Sequence, residues 1–279
     1  MRSPSSELTL GHALALGALQ GPTELLPISS SAHTSTAAWL LGVQYGGDDA
    51  ELRKSFEVAL HAGSTLALLI VLRAELGQAL RGLDRRSMVT IASASVPPAA
   101  AGYALQDQIE RRLGTPATIA AGLLAGAAVM VIADRRPQTR RWSDVRMRDG
   151  LWLGLGQAAA LVPGVSRAGA TLSVARMLGF GAEDAIRLSD QVALPVLVGA
   201  TLLKLPSLRR ALGAGTAPSF AAGAGGAFIS TLACGAALAD RRPSRRLLGF
   251  AAYRAALATL ILIRLLGSSA HDQGQAASV

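Results

Sequence analysis

The sequence predicts an all-α integral membrane protein. It forms a single polytopic domain over residues 1–279, with about six transmembrane helices plus two re-entrant helical hairpins in an inverted-topology repeat. Three observations predict this. Of the 279 residues, 51% are hydrophobic and only 16% charged, a balance that excludes a disordered chain and argues against a soluble globular one. Aromatic residues make up 4% while glycines number 30, which suits helices packed through small side chains and not a barrel with aromatic girdles. Finally, the stretch 17–36 resembles the stretch 154–171. Each passes a Gly three residues before a Gln (Gly17/Gln20, Gly154/Gln157) and breaks at a proline followed by hydroxyl residues (Pro27/Ser29/Ser30, Pro163/Ser166).

Residues 8–19 are apolar but too short to cross a bilayer, and 37–43 are shorter still, with Pro22 and Pro27 between them. They read as a re-entrant hairpin, whose irregular backbone survives at membrane depth only when buried in protein or lining a wet cavity. Residues 56–72 form the first full crossing, 88–105 a second, interrupted by Pro97 and Pro98, and 116–133 a third. After a basic loop at 134–149 the pattern repeats. The short pieces 151–162 and 170–180 flank a break at Pro163 and Gly164, and crossings follow at about 191–205, 220–239 and 247–266. The halves are 8–133 and 150–266.

An odd number of crossings per half makes the second half enter from the opposite side. Such inverted repeats place a binding site near the midplane at the repeat interface. Loop charge gives the orientation. The loops at 73–87, 134–148, 181–189 and 241–246 carry 15 Lys/Arg, against 7 on the N-terminus and the loops at 44–54, 106–115 and 206–217. The first set is therefore cytoplasmic and both termini lie outside. Topology also accounts for the net charge of +9, and nucleic acid is not an expected partner. Cys234 lies in an apolar run as a packing residue. A cleaved signal peptide is not expected, since the first apolar run leads straight into the chemically loaded stretch.

Glu24 is a carboxylate at membrane depth with no Lys or Arg nearby in sequence, which makes it a functional candidate; the plainer alternative is an interfacial group facing water. His33 lies nine residues on, past Ser29, Ser30 and Ser31, so a turn at Pro27 can gather imidazole, hydroxyls and carboxylate round one point. The second break supplies freed amides, Ser166 and Arg167, whose planar fork suits phosphate or carboxylate; the alternative is that Arg167 only neutralises Glu24. Glu57 and His61 share a helix face, as a helix-pinning pair or with a direct role. Arg254 is expected buried and Arg264 snorkelling. Walker A, H-E-x-x-H, G-x-S-x-G and dinucleotide signatures are missing.

These residues resemble the undecaprenyl-diphosphatase, or bacitracin-resistance, family. Its (E/Q)xxxE and P-x-S-S-x-x-H motif is similar to Gln20 to Glu24 and Pro27 to His33, and its P-G-x-S-R-S-x-x-T motif to Pro163 to Thr171. Its F-E-V stretch is similar to the segment from Phe56 to Ser64, and its late Y-R pair to Tyr253 and Arg254. Gln20 stands where many members have Glu, and Ala168 replaces the usual Ser. The resemblance implies a hydrolase in the bacterial plasma (inner) membrane that removes the terminal phosphate of undecaprenyl diphosphate at the outer face. That recycles the lipid carrier for peptidoglycan synthesis and confers bacitracin resistance. It also implies a divalent cation, Mg2+ or Ca2+, held by Glu24 with Gln20. Arg167, Ser166, Thr171 and Ser29 would bind the diphosphate, and Glu24, Ser30, His33 and Arg167 would carry catalysis. The nucleophile stays open between Ser30, His33 and a water. Partners are the polyprenyl diphosphate and the bilayer, with a homodimer as an option. The rival reading is a lipid-phosphate flippase, and a lipid-sequestering scaffold is a third.

Overall fold

Side-chain caps set the starts of several helices. Thr9 accepts from the amide of His12 at 3.2 Å and opens α1, Leu10–Leu25. Ser29 opens α2, Ser30–Leu40, and α3 spans Ala50–Val71. Asp84 accepts from the Ser87 amide at 2.7 Å and opens α4, Arg85–Arg112. Thr115, followed by a proline in the first turn, opens α5, Pro116–Asp134. Each such cap satisfies a backbone donor that would otherwise be orphaned, a contribution of about 1 kcal/mol. Then come a 3-10 turn, Trp142–Asp144, and α6, Met147–Ala159. Ser166 caps α7, Arg167–Met177, followed by α8, Ala182–Ala211, α9, Ala217–Ala239, and α10, Leu248–Ala276.

The computed structural model describes residues 8–43, 50–74, 77, 81, 84–212, 216–239 and 247–276. Among them no sheet forms, only an isolated bridge between Arg140 and Phe180. Among the described residues six helices are long and apolar enough to cross a membrane: Leu52–Val71, Arg85–Leu105, Pro116–Asp134, Ala182–Pro206, Ala217–Ala237 and Leu248–Gly267. The protein is an all-α, multi-pass membrane protein. The expected loop at 241–246, most of the one at 44–54, and both extreme termini lie outside the described residues.

Two sequence expectations are corrected. The second crossing is not interrupted: α4 runs through Pro97 and Pro98. Pro98 has no N–H for the carbonyl four residues back, and the Gln157 side chain donates to that carbonyl, on Ala94, at 3.1 Å. Nor is 181–189 a loop, because α8 begins at Ala182. Glu183 and Asp184 in its first turn favour a start there, since negative charge stabilises a helix N-terminus.

The short helices pair across two breaks, α1 with α2 and α6 with α7, and each pair packs into the other half of the chain. α1 lies along α9, and α6 lies along α4. Glycine allows both approaches. A Cβ on Gly17 would sit 2.3 Å from the carbonyl oxygen of Gly223, and one on Gly154 would sit 2.7 Å from that of Ala94. Pro22 lies inside α1. One turn before it, Ser230 of α9 inserts its hydroxyl, donating to the Gly17 carbonyl at 3.1 Å and accepting from the Gly21 amide at 3.2 Å. Apolar clusters finish the packing. Leu16, Phe56, Leu60 and Phe220 join α1, α3 and α9, and Leu153, Phe180, Leu188 and Val192 join α6 to α8.

Candidate active site

The site forms where the two breaks meet. Among the described residues the only non-glycine positions with positive φ are Ser29 (75°) and Ser166 (50°), the residues that cap α2 and α7. Each conformation costs about 1–3 kcal/mol and must be held by its surroundings. Both hydroxyls help, accepting from the amides of Ala32 (3.4 Å) and Gly169 (3.2 Å). Arg254 of α10 helps more. Its guanidinium is fully buried and donates to Pro27 O in the first break (3.3 Å) and Gly164 O in the second (2.8 Å). It also reaches Gly122 O and Leu123 O of α5, both at 3.4 Å. One cation thus ties both breaks to α5 through carbonyl dipoles.

With the breaks held together, residues 143 positions apart meet. Glu24, 8% exposed, lies in the last turn of α1. Its Oε2 accepts from Ser30 Oγ at 2.8 Å and from Gln20 Nε2 at 3.3 Å. Its Oε1 accepts from Arg167 Nη2 at 3.2 Å. His61 of α3 completes the group, with Nδ1 3.2 Å from Gln20 Nε2 and 3.5 Å from Glu24 Oε2. Gln20 and Glu24 form a buried floor, while Ser30, Arg167 and His61 are partly exposed and form the rim. Ser30 and Arg167 are the first residues of α2 and α7, so two helix N-termini, each a source of positive potential, flank the carboxylate.

The other candidates fall elsewhere. His33 is held by Ser29 O at Nδ1 (2.7 Å) and by Tyr253 OH at Nε2 (2.7 Å), and it stacks on the Tyr253 ring. A carbonyl only accepts, so Nδ1 carries the proton and Nε2 accepts from tyrosine. Thr171, expected on the diphosphate, is fully buried. Its hydroxyl is paired with Ser189 Oγ at 2.6 Å and lies within 3.0 Å of Arg167 O. Ser29 and Ser166 stand directly before Ser30 and Arg167, and their hydroxyl oxygens accept the cap bonds from Ala32 and Gly169. The anticipated Glu57–His61 partnership divides. Glu57 accepts from Lys54 at 2.8 Å, and His61 turns to Gln20 and Glu24. The sequence reading held a direct role for His61 as one of two alternatives, did not foresee its contact with Gln20 and Glu24, and did not foresee the grips of Tyr253 and Arg254. The signal for His61 was an imidazole one turn from an acid within an apolar run.

A serine hydroxyl donating to a buried carboxylate, beside a guanidinium, is an arrangement that can serve as a nucleophile–base pair with an anion receptor. Among the described residues no group of three or more His, Cys, Asp or Glu could hold a metal ion. The donor set suits a hard cation that keeps most of its waters and shares phosphate oxygens, binding through one carboxylate, Glu24. Gln20 presents its NH2 to that carboxylate, so its amide oxygen is turned away from it.

Comparison with known proteins gives a consistent picture. The family model described as bacitracin resistance protein BacA matches residues 13–260. A protein of Pelotomaculum thermopropionicum named undecaprenyl-diphosphatase is 38% identical over 209 residues, covering 72% of this chain and 77% of that one. One of the same name from Rubrobacter xylanophilus is 34% identical over 281 aligned positions, covering 93% and 99%. A third, from Gemmatimonas aurantiaca, is 33% identical and covers 92% and 98%.

Proposed function

The chain belongs to the bacitracin resistance protein BacA family, and from that premise we propose that it hydrolyses undecaprenyl diphosphate to undecaprenyl phosphate and inorganic phosphate. It thereby recycles a lipid carrier for cell-wall polymers and confers bacitracin resistance. The observation that carries the chemistry is the contact of Ser30 Oγ with Glu24 Oε2 at 2.8 Å, with Arg167 on the other carboxylate oxygen. Glu24 takes the Ser30 proton as the hydroxyl attacks the terminal phosphorus. The bridging P–O bond breaks, and undecaprenyl phosphate leaves with the electron pair. Water then attacks the phosphoserine phosphorus, the Oγ–P bond breaks, Ser30 takes back the proton held by Glu24, and phosphate leaves carrying both protons of the water, as dihydrogen phosphate. Arg167 and the free amides at the starts of α2 and α7 hold the phosphoryl oxygens. His33, capped on both nitrogens, positions Ser29 and the break.

A magnesium or calcium ion would be held by Glu24 together with the substrate's own oxygens, and when bound it would neutralise phosphate charge. The enzyme resides in the bacterial plasma (inner) membrane. The two broken helix pairs are re-entrant and related by inverted topology, and the site opens to the outer face; the loop charges support this orientation. Purified protein should release phosphate from a C55 or shorter prenyl diphosphate, and release should fall when magnesium is withheld. A reporter fused after Val279 should read as external, and a cytoplasmic signal would reject the orientation. A flippase needs the anion-binding groups but not a serine on a buried carboxylate, so prenyl diphosphate moved across vesicles without phosphate release would favour that rival.

A further inference from the structure

We propose that His61 is a further substrate-contacting residue, whose Nδ1 is held at Gln20 and whose Nε2–H donates to the terminal phosphate of the diphosphate. This rests on the prenyl-diphosphate reading above. Phe56 and Leu60 on the same helix are buried in the cluster shared with α1 and α9, which fixes the rotation of α3. His61 is thereby set at the edge of the Gln20–Glu24 pair.

The tautomer follows from hydrogen-bond bookkeeping. A primary amide has a nitrogen that only donates and an oxygen that only accepts. Gln20 places one end of its amide 3.3 Å from Glu24 Oε2 and 3.2 Å from His61 Nδ1. An amide oxygen there would face a carboxylate oxygen with no proton between them, so the nitrogen must occupy that position. Its two hydrogens go to Glu24 Oε2 and to His61 Nδ1, which must present a lone pair. The imidazole proton is therefore on Nε2.

Burial says where that proton faces. The His61 side chain is 38% exposed, while that of Glu24 is 6% exposed. Because Nδ1 is the atom turned to the buried floor, the exposed edge is the one bearing Nε2. Along the rim it joins Ser30 and the Arg167 side chain, 17% exposed. A terminal phosphate seated on Arg167 and within reach of Ser30 Oγ carries more negative charge than one guanidinium neutralises. His61 Nε2–H is the donor on the remaining side of the rim.

Two near-isosteres separate this role from a structural one. Asparagine reaches the place of Nδ1 and can accept from Gln20, but its NH2 stops short of the place of Nε2. Glutamine reaches the place of Nε2 and can donate outward. Steady-state phosphate release from a prenyl diphosphate in detergent should show His61→Asn raising KM about tenfold or more, the loss expected for a hydrogen bond to a charged group, with a smaller change in kcat. His61→Gln should stay within about threefold of the parent. The reverse ranking, or an unchanged KM in His61→Asn, overturns the proposal. If His61→Asn does not fold, the imidazole nitrogen NMR signals of the parent protein decide: a proton on Nε2 supports the proposal, and an Nε2 without one overturns it. An unmodified protein that releases no phosphate defeats the hydrolase reading itself, and so is distinguishable from failure of the His61 role.

Discussion

The two broken helix pairs share a backbone device and differ in chemistry. In both, a glycine lets the first helix approach a neighbour closely, a glutamine follows three residues later, and a proline ends the run. A serine at positive φ then caps the second helix. The first residue after each cap is where they diverge, Ser30 in one and Arg167 in the other. Four residues after the glutamines the first pair has Glu24 and the second Leu161. Even the matched glutamines separate in role. Gln20 holds the carboxylate, whereas Gln157 supplies a proton to the carbonyl that Pro98 leaves bare. The shared backbone device thus places two N-terminal helix positions side by side, with a hydroxyl on one and a guanidinium on the other.

The largest effect is expected at the acid that only one copy carries. Glu24→Gln removes the base for Ser30 and the anion facing Arg167, and phosphate release should fall about a thousandfold. Activity within a few-fold of the parent would mean that another group takes the Ser30 proton. Next comes the cation that only the other copy carries. Arg167→Lys keeps the charge but loses the planar fork, so kcat should fall about a hundredfold; near-normal turnover would leave Arg167 a charge-balancing role only.

The matched glutamines sharpen the comparison at a smaller scale. Gln157→Leu leaves the Ala94 carbonyl without a partner and should destabilise the protein by about 1–3 kcal/mol, read as a lower Tm, with KM unchanged. A change in KM there would show that the second glutamine also serves the substrate. The smallest effects belong to the serine caps. Ser29→Gly and Ser166→Gly lose a cap but relieve a positive φ, so each should be milder than the matching alanine variant, which loses about 1 kcal/mol of capping and keeps the strain. Thermal melts of the four variants test this. Opposite rankings in the two pairs would mean that the shared backbone device is not equivalent in them.

Hydropathy and length in the sequence determined the six crossings, and proline, serine and glycine determined the breaks, because backbone solvation in lipid leaves few choices and these residues act within a few positions of themselves. Glu24, Ser30 and Arg167 were legible as candidates because ionisable and hydroxyl groups are costly in apolar runs. Their union was not, since Glu24 and Arg167 stand 143 positions apart and come together where Arg254 grips both breaks. Tertiary structure alone decided that Thr171 turns to Ser189, that Gln157 lets α4 pass its prolines, and that His61 leaves Glu57 for Gln20. Each depends on which helices lie against one another, and periodicity along a single segment carries no record of its neighbours.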